Sequence, residues 1–440
     1  MIQSLLIANR GEIAVRIIRC CRQMGIRSVI AYSQADRDCL PVLMADDKVC
    51  IGPPPARDSY LNVRNLVTAA VLTHCDAVHP GVGFLAENAD FARDVRDAGL
   101  LFIGPDPEVI ELLGDKIRAK HSARELGIPV IPGSDGSVGS REALAAARKI
   151  GYPVIVKAAA GGGGKGMRIV RAGGELADVL AIASHEAEKA FSDGTMYLEK
   201  YLENPRHVEI QIVADRKGNV VHLGERDCTV QQNHQKLVEE SPSLAVDPEM
   251  RRRMGDDAVR LLKSLGYTGA GTVEFLVQEG KHYFMEVNAR VQVEHPVSEM
   301  VTGVDIIRQQ ILAASEQPLE IRQEEVRLDG YAVECRINAR SAGKVVRFHV
   351  PGGFGVRMDT FLYSGYSVPP WYDHLVAKLI VSGRSRSEGI RRMEGALSEL
   401  VIEGIATNLE AQKKIVAHPA FRRGDYGTGF LGEVQKEGIL

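Results

Sequence analysis

The chain has no uninterrupted apolar run approaching the ~18 residues that a membrane-spanning helix needs. Its opening, "MIQSLLIANRGEIAVRI", carries an apolar stretch too short for a secretory signal and no small-residue cleavage site. Paired cysteine spacing is also missing. The seven cysteines (Cys20, Cys21, Cys39, Cys50, Cys75, Cys228 and Cys335) include no CxxC and are odd in number. That pattern fits a reducing compartment better than a disulfide framework or a zinc site. Neither sign of charge dominates: 54 basic against 57 acidic residues give a net charge of −3, so neither nucleic acid nor an anionic membrane is implied as the main partner. These absences predict a soluble, cytoplasmic protein. Internal repeats and low-complexity tracts are absent too, as is a complete GxGxxG around Gly11, which leaves a dinucleotide site there weakly supported.

What is present is a long chain of short, ordered patterns. At 440 residues, about three domains of ~100 to 200 residues each are expected. From 1 to 113 short apolar runs ("SLLIA", "SVIAY", "DAVHP", "LLFIG") alternate with helical patterns such as Ala14, Ile17, Ile18 and Cys21, predicting a doubly wound, Rossmann-like α/β domain. A helix follows "GDK", and Pro, Gly and Ser density marks a boundary near 130 to 140. A small α/β lobe, about 131–203, comes next within a central region spanning 114–320. Alternating strands are expected to dominate from "PRHVEIQIVAD" to about 295, then helices. The last region, 321–440, reads as β-rich and ends in a helix.

"KAAAGGGGKGM", Lys157 to Met167, sets four consecutive glycines between two lysines. Glycine has no Cβ, so backbone N–H groups can approach a ligand closely, and the flanking charge suits phosphates. No Ser or Thr and no helix follow Lys165, so this is not a P-loop; "MRIVRA" reads as a second strand and makes the run a mobile flap. A flexible linker is the alternative, though linkers carry serine and polar residues rather than flanking strands.

Polar residues at spacing two inside apolar strands share one face. His207, Glu209 and Gln211 do so in "HVEIQIV", as do Glu286 and Asn288 in "YFMEVNARVQVEH", continued by Arg290, Gln292 and Glu294 if that segment stays extended. A solvated sheet face would explain any one of these strands. If 278–280 is a three-residue loop with a left-handed Gly280, Glu274 and Glu286 become diagonal neighbours on one face, able to hold a divalent cation. A two-residue loop would put them on opposite faces.

Taken with "IANRGEIAVRI", "HPGVGFLAEN", "GDK", "ERDC", "HQKLVEE", "QVEHPVSEM", "ECRINA" and "PGGFGVR", these motifs resemble the biotin carboxylase family of ATP-grasp enzymes over nearly the full length. The resemblance implies a Rossmann-like N-terminal domain, an ATP-grasp central region with a mobile glycine-rich lid, and a β-rich C-terminal domain. It further implies an ATP-dependent ligase that carboxylates biotin with bicarbonate, through carboxyphosphate, as the first half-reaction of acetyl-CoA carboxylase or of a two-subunit pyruvate or other acyl-CoA carboxylase.

By the same resemblance Lys116, Lys157, Gly163, Gly164, Glu199, Lys200, Tyr201, Leu202, His207, Gln231, His234, Glu274, Leu276 and Glu286 line the ATP site, and Glu274, Glu286 and Asn288 hold Mg²⁺ or Mn²⁺, two ions being implied. Lys236, Arg290, Gln292, Val293 and Glu294 form the bicarbonate pocket, with Glu294 as base. Arg336 meets biotin, so Lys236, Arg290, Glu294 and Arg336 are the implied catalytic set. Arg16, Phe354 and Arg357 match a homodimer interface. No "AMKM"-type biotin attachment site occurs, so a biotin carboxyl carrier protein and carboxyltransferase subunits are the implied partners. One departure lies beside Arg336: the connection "RSAGK", 340–344, is shorter than the family's usual stretch, and a tight turn at Ser341–Gly343 between two alternating strands is expected to absorb the difference.

Overall fold

The computed structural model describes residues 1–134, 136–159, 167–233 and 235–438, with only the backbone of Ser140 and Arg141. Near the N-terminus, β1 (Ser4–Ile7), β2 (Arg27–Ser33), β3 (Asp47–Gly52), β4 (Ala77–His79) and β5 (Leu101–Phe102) form a parallel sheet in the order β3-β2-β1-β4-β5. The helix Gly11–Met24 buries Ala14, Ile17, Ile18 and Cys21. This is the expected doubly wound layer, with one strand, β3, that periodicity does not reveal. Four of its six residues are polar, glycine or exposed at a sheet edge, so no apolar alternation marks it.

The small lobe pairs β6 (Val154–Ala158) with β7 (Arg168–Val170) and β8 (Met196–Lys200), covered by helices Ser140–Ile150 and Leu176–Phe191. Val154, Val156, Leu176, Leu180 and Leu198 give it a core of its own.

Eight of the described strands form one larger antiparallel sheet. Its members are β9 (Arg206–Ala214), β10 (Val220–Gln232), β11 (Gln235–Ser241), β12 (Gly269–Gln278), β13 (Lys281–Asn288) and β14 (Tyr331–Asn338), followed after the short β15 (Gly343–Lys344) and β16 (Arg347–His349) by β17 (Val356–Thr360), then, past the short β18 (Ser367–Val368), by β19 (Leu375–Gly383). The spatial order is β13-β12-β9-β10-β11-β14-β19-β17, so central and C-terminal regions share a single sheet, joined where β11 pairs with β14. The short β20 (Val401–Glu403) pairs with β16.

Three expectations need correction. The run of strands to 295 is interrupted by the helix Pro248–Ser264, whose buried Met250, Met254, Ala258, Leu261 and Leu262 follow the helical period and whose N-terminus is capped by Asp247 accepting from the Met250 N–H at 2.7 Å. Of the two alternating strands expected around the 340–344 connection, the second, "KVVRFHV" (344–350), is not one strand: β15 pairs with β18 and β16 with β20. Nor is the expected tight turn at Ser341–Gly343 set between two regular strands. The connection lies along 404–407, where the Arg340 N–H donates to the Ala406 carbonyl at 2.7 Å and the Ala406 N–H to Ser341 Oγ at 3.0 Å.

Candidate active site

Of the two strands with polar residues at every second position, β9 lies inside the large sheet with its polar face buried, and β13 lies at the sheet edge, one strand away across β12. His207, Glu209 and Gln211 on β9 are all buried, because β10 and β12 flank the strand. Buried carboxylates require partners. Arg226 on β10, fully buried, donates to Glu209 Oε1 at 2.6 Å, Gln211 Oε1 at 2.6 Å, Ser298 Oγ at 3.0 Å and Thr272 Oγ1 at 3.2 Å. It fixes the polar face from behind.

The β12–β13 hairpin places the next two carboxylates, by a route different from the one expected. Gln278 pairs with Lys281, so the turn is the two-residue Glu279-Gly280, with φ of 51° and 71°, the left-handed pair that a primed turn demands. That register alone would send Glu274 and Glu286 to opposite faces. A β-bulge at Met285 restores them: Phe275 pairs with Phe284, but Glu274 pairs with Glu286. The two glutamates are therefore directly opposed rather than diagonal, with Asn288 beyond them donating to Glu274 Oε1 at 2.9 Å.

The chain leaves the strand at Asn288, so Arg290, Gln292 and Glu294 do not continue it as expected. They converge nonetheless. Arg290 donates to Glu87 Oε2 at 2.7 Å, Asn288 Oδ1 at 3.1 Å and Gln292 Oε1 at 3.0 Å, and Gln292 Nε2 to Glu274 Oε1 at 3.3 Å. Glu294 sits at the start of helix His295–Thr302, fully buried. Lys236 Nζ lies 2.6 Å from Glu209, 3.0 Å from Glu274 and 2.7 Å from Glu294. Arg336 Nη2 lies 2.9 Å from Glu294 and its Nε 2.6 Å from Glu239. The Val293 carbonyl accepts from Lys378 Nζ at 2.8 Å.

Burial by itself would raise the pKa of Glu294, but the charges of Lys236, Arg336 and Arg226 override it and hold the carboxyl well below its usual range. Glu274 is held down in the same way, against burial, by Lys236 and His207, whose Nε2 is 2.9 Å away. His207 in turn is raised by Glu274, against its own burial, and its Nδ1 lies 2.8 Å from Gln231 Nε2.

On the opposite wall, Lys116 Nζ meets Glu286 at 2.6 Å and Lys157 Nζ meets Glu199 at 2.6 Å, with Lys120 also paired to Glu199. Burial, then the neighbouring Lys116 charge, lowers Lys157 to about 8. Of the remaining expected residues, Lys200 donates to the Gly151 and Tyr152 carbonyls at 3.0 Å each, the Tyr201 N–H donates to the Pro153 carbonyl at 3.1 Å, Leu202 follows the end of β8 half-buried, and Leu276 pairs with His207. Gly163, Gly164 and the rest of the glycine run, and His234, lie outside the described residues.

Sequence reasoning missed Glu87, Lys120, Arg226 and Glu239 as members of this cluster. Three of them stand inside motifs already conspicuous, "FLAEN", "ERDC" and "HQKLVEE"; Lys120 is signalled only by its position one helical turn after Lys116. As for metal, ligand atoms of His207, Glu209 and Glu274 come within 4.8 Å of one another, but Glu209 is already claimed by Arg226 and Lys236. Glu274, held by Lys236 and His207, and Glu286, held by Lys116, stand opposed with Asn288 beyond them and offer hard oxygen donors on one face, the donor type that Mg²⁺ or Mn²⁺ takes.

Three family models together match almost the whole chain: the biotin carboxylase N-terminal domain over 1–110, the ATP binding domain of the carbamoyl-phosphate synthase L chain over 115–322, and the biotin carboxylase C-terminal domain over 331–433. Biotin carboxylase 1 of Bacillus subtilis (strain 168) is 52% identical, over 98% of each chain. The chain belongs to the biotin carboxylase family. Family members of different context are similar to it too: a pyruvate carboxylase subunit of Methanothermobacter thermautotrophicus is 46% identical, over 99% of this chain and 91% of the relative. Among solved biotin carboxylases, the Campylobacter jejuni β,γ-ATP complex superposes with a TM-score of 0.96 at 45% identity, covering 98% of this chain and 99% of that one. The biotin carboxylase domain dimer of Hydrogenobacter thermophilus 2-oxoglutarate carboxylase, with MgADP, ADP and bicarbonate, gives 0.95 at 46% identity, covering 99% and 98%.

Proposed function

We propose that this chain carboxylates biotin, presented by a separate carrier protein, using ATP and bicarbonate. The observation that carries the reading is Glu294, buried between Lys236 at 2.7 Å and Arg336 at 2.9 Å, with a carboxylate-lined nucleotide wall across the cleft. In the resting cluster Glu294 is ionised and able to accept a proton. A bicarbonate anion entering beside Lys236, Arg290, Gln292 and Val293 draws the Lys236 ammonium toward itself. Glu294 then loses its first partner and becomes a stronger base.

Glu294 takes the bicarbonate proton as the bicarbonate oxygen attacks the γ-phosphorus of ATP, ADP leaving with the broken bond. Lys116 and Lys157 turn from Glu286 and Glu199 to the phosphates, with Lys200, Tyr201, Leu202, His207, Gln231, Leu276 and, outside the described residues, the glycine lid and His234 completing the nucleotide site. A divalent cation held by Glu274, Glu286 and Asn288 would neutralise phosphate charge there. The resulting carboxyphosphate breaks to CO₂ and phosphate; phosphate removes the ureido N–H proton of biotin, and the nitrogen bonds to CO₂. Arg336 stabilises the developing ureido oxyanion.

The acyl acceptor downstream is set by a carboxyltransferase: acetyl-CoA is our first reading, pyruvate or another acyl group the second, because the relatives include both separate biotin carboxylases and a pyruvate carboxylase subunit. We assign a cytoplasmic place to the enzyme; no helix among the described residues is long and apolar enough to cross a membrane. A homodimer through the surface bearing Phe354, 93% exposed, with Arg16 and Arg357 clasping Glu299 at 2.9 and 2.7 Å, completes the proposal.

The test is ADP release from the pure protein with ATP, Mg²⁺, bicarbonate and free biotin. Release that requires bicarbonate and rises with biotin supports the reading; full-rate turnover without biotin would sink it.

A further inference from the structure

Behind Arg336 lies a second pair of carboxyls that the reaction above does not use. Glu239 on β11 and Glu334 on β14 are directly opposed across the strand pair, and both are fully buried. Glu239 Oε1 accepts from Arg336 Nε at 2.6 Å. Its Oε2 and both oxygens of Glu334 have no hydrogen-bond partner, although buried. Lys378, whose charge acts most on Glu334, opposes Arg336 on β19 but directs its ammonium to Glu12 at 2.9 Å and the Val293 carbonyl at 2.8 Å.

Three buried, unpaired carboxyl oxygens on facing glutamates cannot all carry ionised charge cheaply; one shared proton turns repulsion into a hydrogen bond. We propose that Glu239 and Glu334 hold one proton between them and act as a positioning pair for Arg336, Glu239 anchoring the guanidinium and Glu334 keeping the proton that limits the pair to a single negative charge. Arg336 then keeps enough positive field for the ureido oxygen. With the proton lost, a second negative charge draws the guanidinium back.

Burial is the main cause that raises both groups, Glu239 to about 7 against the pull of Arg336, and Glu334 well above the usual carboxyl range. The charges that act on the pair are Arg336 on β14, Lys236 on β11, Lys378 on β19 and Glu294 at the start of helix His295–Thr302; the thiols of Cys228 on β10 and Cys335 on β14 are near, and Lys378 is itself held by Glu12 on helix Gly11–Met24 and lies 3.9 Å from Asp359 on β17. None of them donates a hydrogen bond to Glu334, so its proton has no substitute.

The inference rests on the carboxylation reading for its kinetic readout but not for its spectroscopic one. Infrared difference spectra between pH 6 and pH 10 are expected to show a protonated carboxyl band in the wild type that Glu334→Gln removes. In kinetics, the ratio of biotin-stimulated to biotin-free ADP release should fall on the alkaline side as the pair loses its proton, since the titration of Lys157 near 8 acts on both activities alike, and Glu334→Gln should abolish that fall, because an amide has no proton to lose there. Glu239→Gln should lower the ratio of biotin-stimulated to biotin-free ADP release about tenfold, the scale of one charge-assisted hydrogen bond, with partial recovery in Glu239→Asp. A merely structural role would depress both activities together and leave the ratio unmoved. A carboxyl band unchanged in Glu334→Gln, an alkaline fall of the ratio that persists in that variant, or a Glu239→Gln ratio equal to wild type would overturn the proposal. If biotin stimulates nothing in the wild type while the band behaves as expected, it is the carboxylation reading that has failed.

Discussion

Replacing Lys236 by Met removes the one ammonium that faces Glu209, Glu274 and Glu294 together while keeping a similar apolar stem. Each glutamate keeps a second partner: Arg226 for Glu209, His207 for Glu274, Arg336 for Glu294. Arg336 is shared with Glu239 at 2.6 Å, so four carboxylates then face three cations in a buried site, and removing one side of such a contact costs about 3 to 5 kcal/mol. For cooperative melting of 440 residues, an unfolding entropy of ~2.1 cal/mol/K per residue makes that roughly a 4 °C fall in Tm. The pH dependence is the sharper readout. In the wild type Glu274 and Glu294 are depressed, so their stabilisation is present above the unfolded carboxyl pKa and lost only as pH falls toward the folded values. Without Lys236, at least one folded carboxyl rises above its unfolded pKa, and the variant loses stability as pH rises through that window. The Tm gap should therefore widen from pH 5.5 to pH 8 in calorimetry, and Lys236→Arg should close part of it. A gap independent of pH, or below 1 °C at pH 8, would refute the charge argument.

Glu286→Gln keeps the size of the side chain but halves the anionic donors opposite the phosphates, so ATP turnover at saturating Mg²⁺ should fall at least tenfold; an unchanged kcat would remove the metal role from the hairpin. Gly81 has a φ of +67°, and a Cβ there would stand 2.7 Å from Asn9 Nδ2, which donates to the Pro80 carbonyl at 2.7 Å; Gly81→Ala should cost about 1 to 3 kcal/mol by thermal melting, and a neutral result would mean the turn relaxes freely. Sedimentation at micromolar concentration should give a dimer for the wild type and a shift toward monomer for Phe354→Glu; a wild-type monomer would refute the assigned interface.

The regular parts of the fold are written in short-range pattern, and are legible for that reason: the helix at 11–24 and the strands of the parallel sheet bury the apolar residues their periods predict. β3 is not legible because a sheet-edge strand needs little apolar alternation. The helix Pro248–Ser264 carries its period and its Asp247 cap in plain view, yet the strand patterns on either side of it mask both. The hairpin shows a subtler limit. Its turn residues decide a two-residue loop, and the bulge at Met285 decides the faces, yet a bulge leaves no local signature: it is fixed by what the carboxylates on either side must meet. Arg290, Gln292 and Glu294 can be grouped from spacing two, although the backbone that gathers them is irregular. Residues that only complete charge balance, Arg226, Glu239 and Glu87, are visible as motif members but acquire meaning from partners between 15 and 203 positions away in sequence.

The shared sheet explains why a shorter 340–344 connection leaves Arg336 in place. Arg336 is set by the ladder, not by the connection: β14 is held on one side by β11, with Cys335 opposite Val238 and Glu334 opposite Glu239, and on the other by β19, with Arg336 opposite Lys378. Asn408 and Gln412 add donors to the Arg336 carbonyl at 3.0 and 2.7 Å. A one-residue slip would turn every side chain of β14 to the other face and bury Cys335 and Ile337 against the polar cluster, so the register is strongly specified. Shortening the loop that follows costs little closure entropy and cannot reach this ladder. The same ladder carries the geometry of Lys236, three residues before Glu239 on β11. The backbone positions of Lys236 and Arg336 are thus spaced by strand register, while Glu294, at the start of helix His295–Thr302, meets both side chains from outside the ladder.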